Sequence, residues 1–415
     1  MSSKLRQISD KLWTGELSTR IENPMMQMMG LEPLQDGLAF VSSFANVSAL
    51  GTSKGLVLVD TGSFLLARQI HGSLREWTDA RLHTAVFTHG HADHVFGVAT
   101  FEEEAEHKGW AQPVVIAHEA LAARFDRYKY TRGYNSIINE RQFRVPGLQW
   151  PSEYRYPDVT YRDTKVVTVG GERLELFHGK GETDDGTWVW LPERKVLCTG
   201  DMFIWASPNC GNPQKAQRYP REWALALRQM AALGAETLLP GHGPPIWGAD
   251  RVEQALTETA QLLESIVEQT VSRMNAGMRL DEIIGQVRAP EALLARPYLR
   301  PIYDEPEFVV RNLWRLYGGW YDGNPAHLKP ARDEALGAEV AALAGGAAAL
   351  VARAEALSLS GEHALACHLA EWAGKAAPGD AVVEAARSQV YARRADAEGS
   401  LMAQSVYLQA SNTSS

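Results

Sequence analysis

"THGHADHVFG" (residues 88–97) brings His89, His91, Asp93 and His94 within six positions. The run that leads into it, "TAVFT" (84–88), is short, apolar and β-branched, and reads as a buried strand. The cluster therefore falls on the loop at a strand's C-terminal end. Alternate residues of an extended chain share a side, so His89 and His91 can face one metal ion. Asp93 and His94, where the chain turns toward the next helix, can reach a second. Imidazole with carboxylate suits zinc, with manganese and iron as alternatives. The plainer reading is a solvated loop of unrelated polar residues, and so many ligand types directly after a buried strand argue against it.

Outward from the cluster, short apolar runs alternate with amphipathic ones. "GLVLVD" (55–60), "PVVIA" (113–117), "RLELF" (173–177), "TWVWL" (187–191), "KVLCTG" (195–200) and "TLLPG" (237–241) have strand character. "FLLARQIHGSLREWT" (64–78) and "REWALALRQMAAL" (221–233) place apolar residues at helical spacing. This alternation predicts layers of sheet covered by helices. Residues 119–162, dense in Tyr, Arg and Pro without clear period, read as an excursion over the substrate side. Trp188 and Trp190 alternate on one strand and so share a face, which assigns them to the core. The methionines of "NPMMQMMG" (23–30) fit core packing or a subunit contact.

Beyond His242 the character changes. Residues 251–277 form a long amphipathic helix with Val252, Leu256, Leu263 and Ile266 on one side. After a proline-broken link, alanine-rich helices are expected at 333–344, 346–358, 362–375, 379–395 and 399–410, punctuated by Gly and Pro. They carry no cluster of catalytic residue types and read as a scaffold or subunit-contact module. The expected division is a catalytic domain over 1–265 and a helical domain over 266–415.

"THGHADH" resembles the H-x-H-x-D-H signature of the metallo-β-lactamase superfamily. "LVLVDTG" with Asp60, "LCTGD" with Asp201 and "LPGHG" with His242 follow that family's order. The resemblance implies an α/β fold, an αββα sandwich with one or two metals at one edge. It implies that His89 and His91 bind the first ion, that Asp93, His94 and His242 bind the second, and that Asp201 bridges them. Asp60 is expected to orient a ligand or loop.

The stretch "GKGETDDGTWVW" (179–190) sits where most of the superfamily has a further histidine ligand; this chain has Glu182 there, with His178 four residues earlier. Alignment on the following strand puts Glu182 in the ligand position, and His178 remains the alternative. The superfamily's alkylsulfatases use a glutamate there. "PYLRPIYDEPEFVVRNLWRLYGGWYDGNPAHLKP" (297–330) also resembles their dimerization domain, which implies a homodimer formed through the C-terminal helices. In that branch the segment after the bridging acid contacts sulfate, and "MFIWASPNCGNPQKAQRYPREW" (202–223) resembles it, with Asn209 and Arg218 as matching anchors and Tyr219 beside them. Two departures stand out. Asp201 replaces the branch's bridging glutamate, and no sterol-carrier-like third domain follows.

The resulting expectation is a two-metal hydrolase of sulfate esters in which a hydroxide held between the ions and oriented by Asp93 is the nucleophile. The alternatives are hydrolysis of carboxylic esters, lactones or β-lactams, and a metal-binding adaptor without turnover. Counting charge, two divalent ions against Asp93, Glu182, Asp201 and one hydroxide give a roughly neutral centre, so an anionic ester needs separate cationic anchors. Across 415 residues the net charge is −9 without basic runs, which argues against a nucleic-acid or anionic-membrane partner. Three scattered cysteines make no disulfide framework, and the first residues show neither a secretory pattern nor a span, so a cytoplasmic enzyme is expected.

Overall fold

The computed structural model describes residues 3–26 and 28–412. Gln27, within the methionine-rich stretch, lies outside them. Two sheets form the body of the first unit. One runs β1 (Gly30–Gln35), β2 (Leu38–Ser42), β3 (Val47–Thr52), β4 (Gly55–Val59), β5 (Leu82–Val86), β6 (Val114–His118), β7 (Val159–Tyr161), in spatial as in chain order. The other contains β8 (Thr164–Val169), β9 (Glu172–His178), β10 (Thr187–Leu191), β11 (Val196–Ile204), β12 (Thr237–His242) and β13 (Ile246–Trp247), again in sequential order.

Hairpins build each sheet from antiparallel neighbours, but β4–β5–β6–β7 and β11–β12 pair in parallel through helical crossovers. Phe40, Val57, Val86 and Ile116 from the first sheet meet Leu174, Leu176, Val189 and Val196 from the second in one buried core. On the outer side of the first sheet Ile70 and Leu74 of helix Ala67–Trp77, Phe101 of Val98–Lys108 and Phe125 of Leu121–Tyr130 close a second core. Pro220–Ala231 and Ala249–Asn275 lie over the second sheet, with Trp223 Nε1 donating to Met202 O at 2.8 Å. The layers are αββα, as the resemblance to the metallo-β-lactamase superfamily implies, and the alternating pattern agrees in covering sheet with helices. Trp188, Trp205 and Trp223 are among the largest fully buried side chains.

Two differences from expectation concern the middle of the chain. Residues 119–162 contain two helices, Leu121–Tyr130 and Arg132–Phe143, before an irregular stretch. Their buried sides are built from Arg124, Tyr128, Asn135, Asn139 and Gln142 beside apolar residues, so no apolar period marks them. Ala249–Asn275 is one unbroken helix in which residue 265 lies, and the first compact unit continues through Glu282–Gly319.

The second unit comprises residues 133–149, 279–281 and 320–415. Its helices Asp333–Ala344, Ala347–Leu359, His363–Ala376, Ala381–Ala397 and Leu401–Asn412 fall within two residues of the expected ranges. Small side chains let them approach closely, with Ala341, Ala373 and Ala386 buried against Leu350, Val351 and Val383. Among the described residues no single helix is long and apolar enough to cross a membrane.

Candidate metal centre

The donors gather at the C-terminal ends of parallel strands, where open α/β sheets leave room for ligands. Asp60 follows β4, the histidine loop follows β5, Asp201 lies in β11 after an irregularity in its pairing, and His242 ends β12 opposite Ile204. The backbone N–H of Thr187, the first residue of β10, donates to Thr88 O at 2.7 Å and ties the two sheets together beside the loop. Glycine is required where these elements touch. A Cβ on Gly241 would stand 2.0 Å from Asp201 Oδ1, and one on Gly97 would stand 1.8 Å from Thr61 O.

Two donor groups result. His89, His91, Glu182 and Asp201 form one; Asp93, His94 and His242 form the other. His89 Nε2 and His91 Nδ1 are 2.8 Å apart, and His91 Nδ1 is 3.8 Å from Glu182 Oε1. Asp201 faces both groups, with Oδ2 at 3.6 Å from His89 Nε2 and 3.4 Å from His242 Nε2, and Oδ1 at 3.4 Å from His94 Nε2. Asp93 Oδ2 is 3.5 Å from His242 Nε2 and 3.6 Å from His94 Nε2. Donors around a tetrahedral ion with bonds of about 2.0–2.1 Å are about 3.3–3.4 Å apart, close to most of these separations. His94 Nε2 and Asp201 Oδ1 are buried without a hydrogen-bond partner, a condition that a cation between them relieves. The residues fit divalent ions.

His178, the alternative to Glu182, lies outside both groups. It ends β9, stacks on His118 with ring centroids 3.7 Å apart, and bonds through Nδ1 to Gly186 O at 2.9 Å. Asp60 stands behind the centre in a left-handed backbone conformation, φ 59°. Its Oδ2 accepts from the Thr88 hydroxyl at 2.7 Å and meets His94 Nδ1 at 2.8 Å, while Oδ1 accepts the Thr88 N–H at 2.7 Å. It thereby fixes the loop and leaves His94 Nε2 for the centre.

Burial, reinforced by His94, drops His89 to about 3, so its ring is neutral and ready to coordinate. Burial likewise lowers His91 well below the imidazole range, with His89 adding to the effect. For His94, desolvation opposes protonation, yet Asp201, Asp93 and Asp60 together hold it well above that range. Burial raises the Glu182 carboxyl to about 8 although Arg218 pulls the other way, and Asp201 adds to the rise. A cation beside it favours the carboxylate.

Asn209 and Arg218, expected to face substrate, both reach Glu182. Asn209 Nδ2 donates to Glu182 Oε1. Arg218 is 2% exposed and donates Nη1–H to Glu182 O at 2.6 Å and Nη2–H to Oε1 at 3.1 Å. Its Nε is buried without a hydrogen-bond partner. Tyr219 binds the same turn through its backbone N–H, which donates to Gly181 O at 3.0 Å, and Lys180 lies over its ring.

Three residues with no motif to mark them also shape the centre. Asp185, fully buried, accepts from Gly90 N at 2.9 Å and from Arg124 Nε at 2.8 Å, clamping the histidine loop to the Glu182 turn. Arg124 also binds Asp184. Tyr303, in the link after the sandwich, is buried, and burial together with Glu182, Asp93 and Asp201 holds its phenol well above the usual range. It is an O–H donor at neutral pH.

Comparison with known proteins agrees with this architecture. Residues 42–242 match the metallo-beta-lactamase superfamily, and residues 279–415 match the alkyl sulfatase dimerisation family. A linear primary-alkylsulfatase from Pseudomonas sp. is 28% identical over 340 residues, covering 77% of this chain and 64% of that protein. An (R)-specific secondary-alkylsulfatase from Pseudomonas sp. is 26% identical over 374 residues, 83% of this chain and 54% of its own. The solved stereoselective inverting sec-alkylsulfatase Pisa1 from Pseudomonas sp. has the same fold, with a TM-score of 0.82 at 23% identity over 92% of this chain and 65% of that one. The chain thus spans between about half and two thirds of the length of these relatives. By fold and donor set the first unit carries a metallo-beta-lactamase domain. The whole chain joins that domain to an alkyl sulfatase dimerisation domain.

Proposed function

We propose that the protein hydrolyses sulfate esters with two divalent ions, zinc by donor type, and works as a homodimer in the cytoplasm. The observation that supports this most directly is the pairing of seven convergent donors with Glu182 among them, in a chain similar to two alkylsulfatases. His89, His91 and Glu182 would hold the first ion and Asp93, His94 and His242 the second, with Asp201, which faces both groups, available to each. When bound, such ions supply Lewis acidity and bring the pKa of water in contact with them toward neutrality. The chain's own residues do the rest. Asp93, with its side chain 26% exposed, orients the attacking water. Asn209 and the unpartnered Nε–H of Arg218 contact sulfate oxygens, with Tyr219 next to them. Tyr303 keeps its proton and stands ready beside the departing oxygen. In this reading residues 1–265 supply the metal donors, Tyr303 and Asn312 join them from the segment that follows, and the remainder of 266–415 serves dimerisation.

The test is turnover of a panel of alkyl sulfate, phosphate, carboxylic ester and lactone substrates by zinc-loaded protein. Sulfate release from alkyl sulfates is the expected result. Lactone or β-lactam turnover without sulfate release would replace this reading, and no turnover at all would favour a binding protein. Reaction in oxygen-18 water, with mass analysis of the alcohol, distinguishes C–O from S–O cleavage. Light scattering should return twice the mass of one chain.

A further inference from the structure

Two features of Arg218 carry a conclusion beyond substrate binding. Its guanidinium bridges the side chain and the backbone carbonyl of one residue, Glu182, through Nη2 at 3.1 Å and Nη1 at 2.6 Å. A fork of that kind fixes the carboxylate's rotamer to its own backbone. The arginine is held in turn. Its backbone N–H donates to Asn312 Oδ1 at 3.2 Å, and its carbonyl accepts from Asn312 Nδ2 at 3.1 Å. Gln217 Nε2 adds a bond to Asn312 Oδ1 at 2.6 Å. Asn312 belongs to helix Pro306–Gly318, so the fork rests on a rigid element. Asn209 supplies a second donor to the same Oε1.

We propose that Arg218 and Asn209 are positioning residues that work through Glu182, so that carboxylate and guanidinium together act on the first ion as one neutral, oriented donor. This rests on the metal assignment made above. Glu182 and Arg218 are 5% and 2% exposed, so little solvent screens their charges from the centre. Arg218 cancels the negative charge that Glu182 brings, and the first ion keeps the electrophilicity that an uncompensated third carboxylate would remove. Imidazole is already neutral. A histidine at 182 therefore has no use for a guanidinium, and Arg218 facing it would repel the ion with an unopposed buried charge.

The experiment is Zn2+ affinity measured by competition with a chromophoric chelator, on the full chain and its variants, without substrate. Arg218→Met should weaken binding of the first ion by about 10–100-fold, the range for losing a group that orients a ligand. Asn209→Leu should shift it the same way by less. Glu182→His should bind poorly, and Glu182→His with Arg218→Met should bind more tightly than Glu182→His alone. Should Arg218→Met not fold, the Asn209 variant and the double variant still decide the matter. Wild-type zinc affinity in both single variants, or a double variant no better than Glu182→His, would overturn the proposal, as would a wild type that binds no zinc. Failure of the sulfatase reading looks different: zinc affinities shift as described while no variant, nor the wild type, releases sulfate.

Discussion

At the scale of single residues, the Arg124–Asp185 pair and the Glu182–Arg218 pair put four charged side chains where solvent scarcely reaches. Removing one member of such a pair strands the other. Asp185→Ala leaves buried Arg124 with the half-exposed Asp184 as its remaining carboxylate partner and frees the N–H of Gly90. A loss of about 3–5 kcal/mol in chemical denaturation is expected, together with weaker zinc binding because the loop between His89 and His91 is no longer clamped. The two acid and imidazole rivals for the first ion give a sharper contrast. His178→Ala should keep both zinc equivalents, since its ring stacks on His118 away from the donors, whereas Glu182→Ala should lose the first-site ion preferentially. Elemental analysis of the dialysed variants reads both. The clustered donors were legible because three histidines and an aspartate occupy one loop. Asp185, Arg124 and Tyr303 were not, because an ordinary Asp, Arg or Tyr carries no mark of a partner 61 positions away, the separation of Arg124 and Asp185.

At the scale of elements, the centre depends on parallel strands that end in register and on loops without side chains at the crossing points. Gly241 shows this most directly, because its Cα side toward Asp201 has no space for a methyl group. Gly241→Ala should push the Asp201 carboxylate or the β12 backbone aside, lowering zinc content per chain and the melting temperature together; unchanged values in calorimetry and metal analysis would contradict this packing. Strands β4 to β6 and β9 to β12 and the alanine-rich helices were readable from period and punctuation to within a few residues, whereas β1 to β3, β7, β8 and β13 were not. The helices Leu121–Tyr130 and Arg132–Phe143 escaped that reading because Arg, Tyr, Asn and Gln on their buried faces interrupt the apolar stripe.

At the scale of the whole molecule, the change of composition after His242 is visible in the sequence, but where one compact unit gives way to the next is not. The long helix Ala249–Asn275 passes through that zone without a break, and the first unit takes in the chain as far as Gly319. A fragment ending at 265 lacks Tyr303 and Asn312; it should express poorly, and any soluble portion should bind zinc more weakly than the full chain in the same chelator competition. The bond between Asn312 and the Arg218 backbone also imposes an order of events during synthesis. By the time the ribosome has made His242 every proposed donor has been translated, yet the clamp that steadies Glu182 is still about 70 residues from emerging, at roughly 5–20 residues per second. For those seconds the turn around Glu182 and Arg218 lacks its Asn312 support, which arrives only with helix Pro306–Gly318.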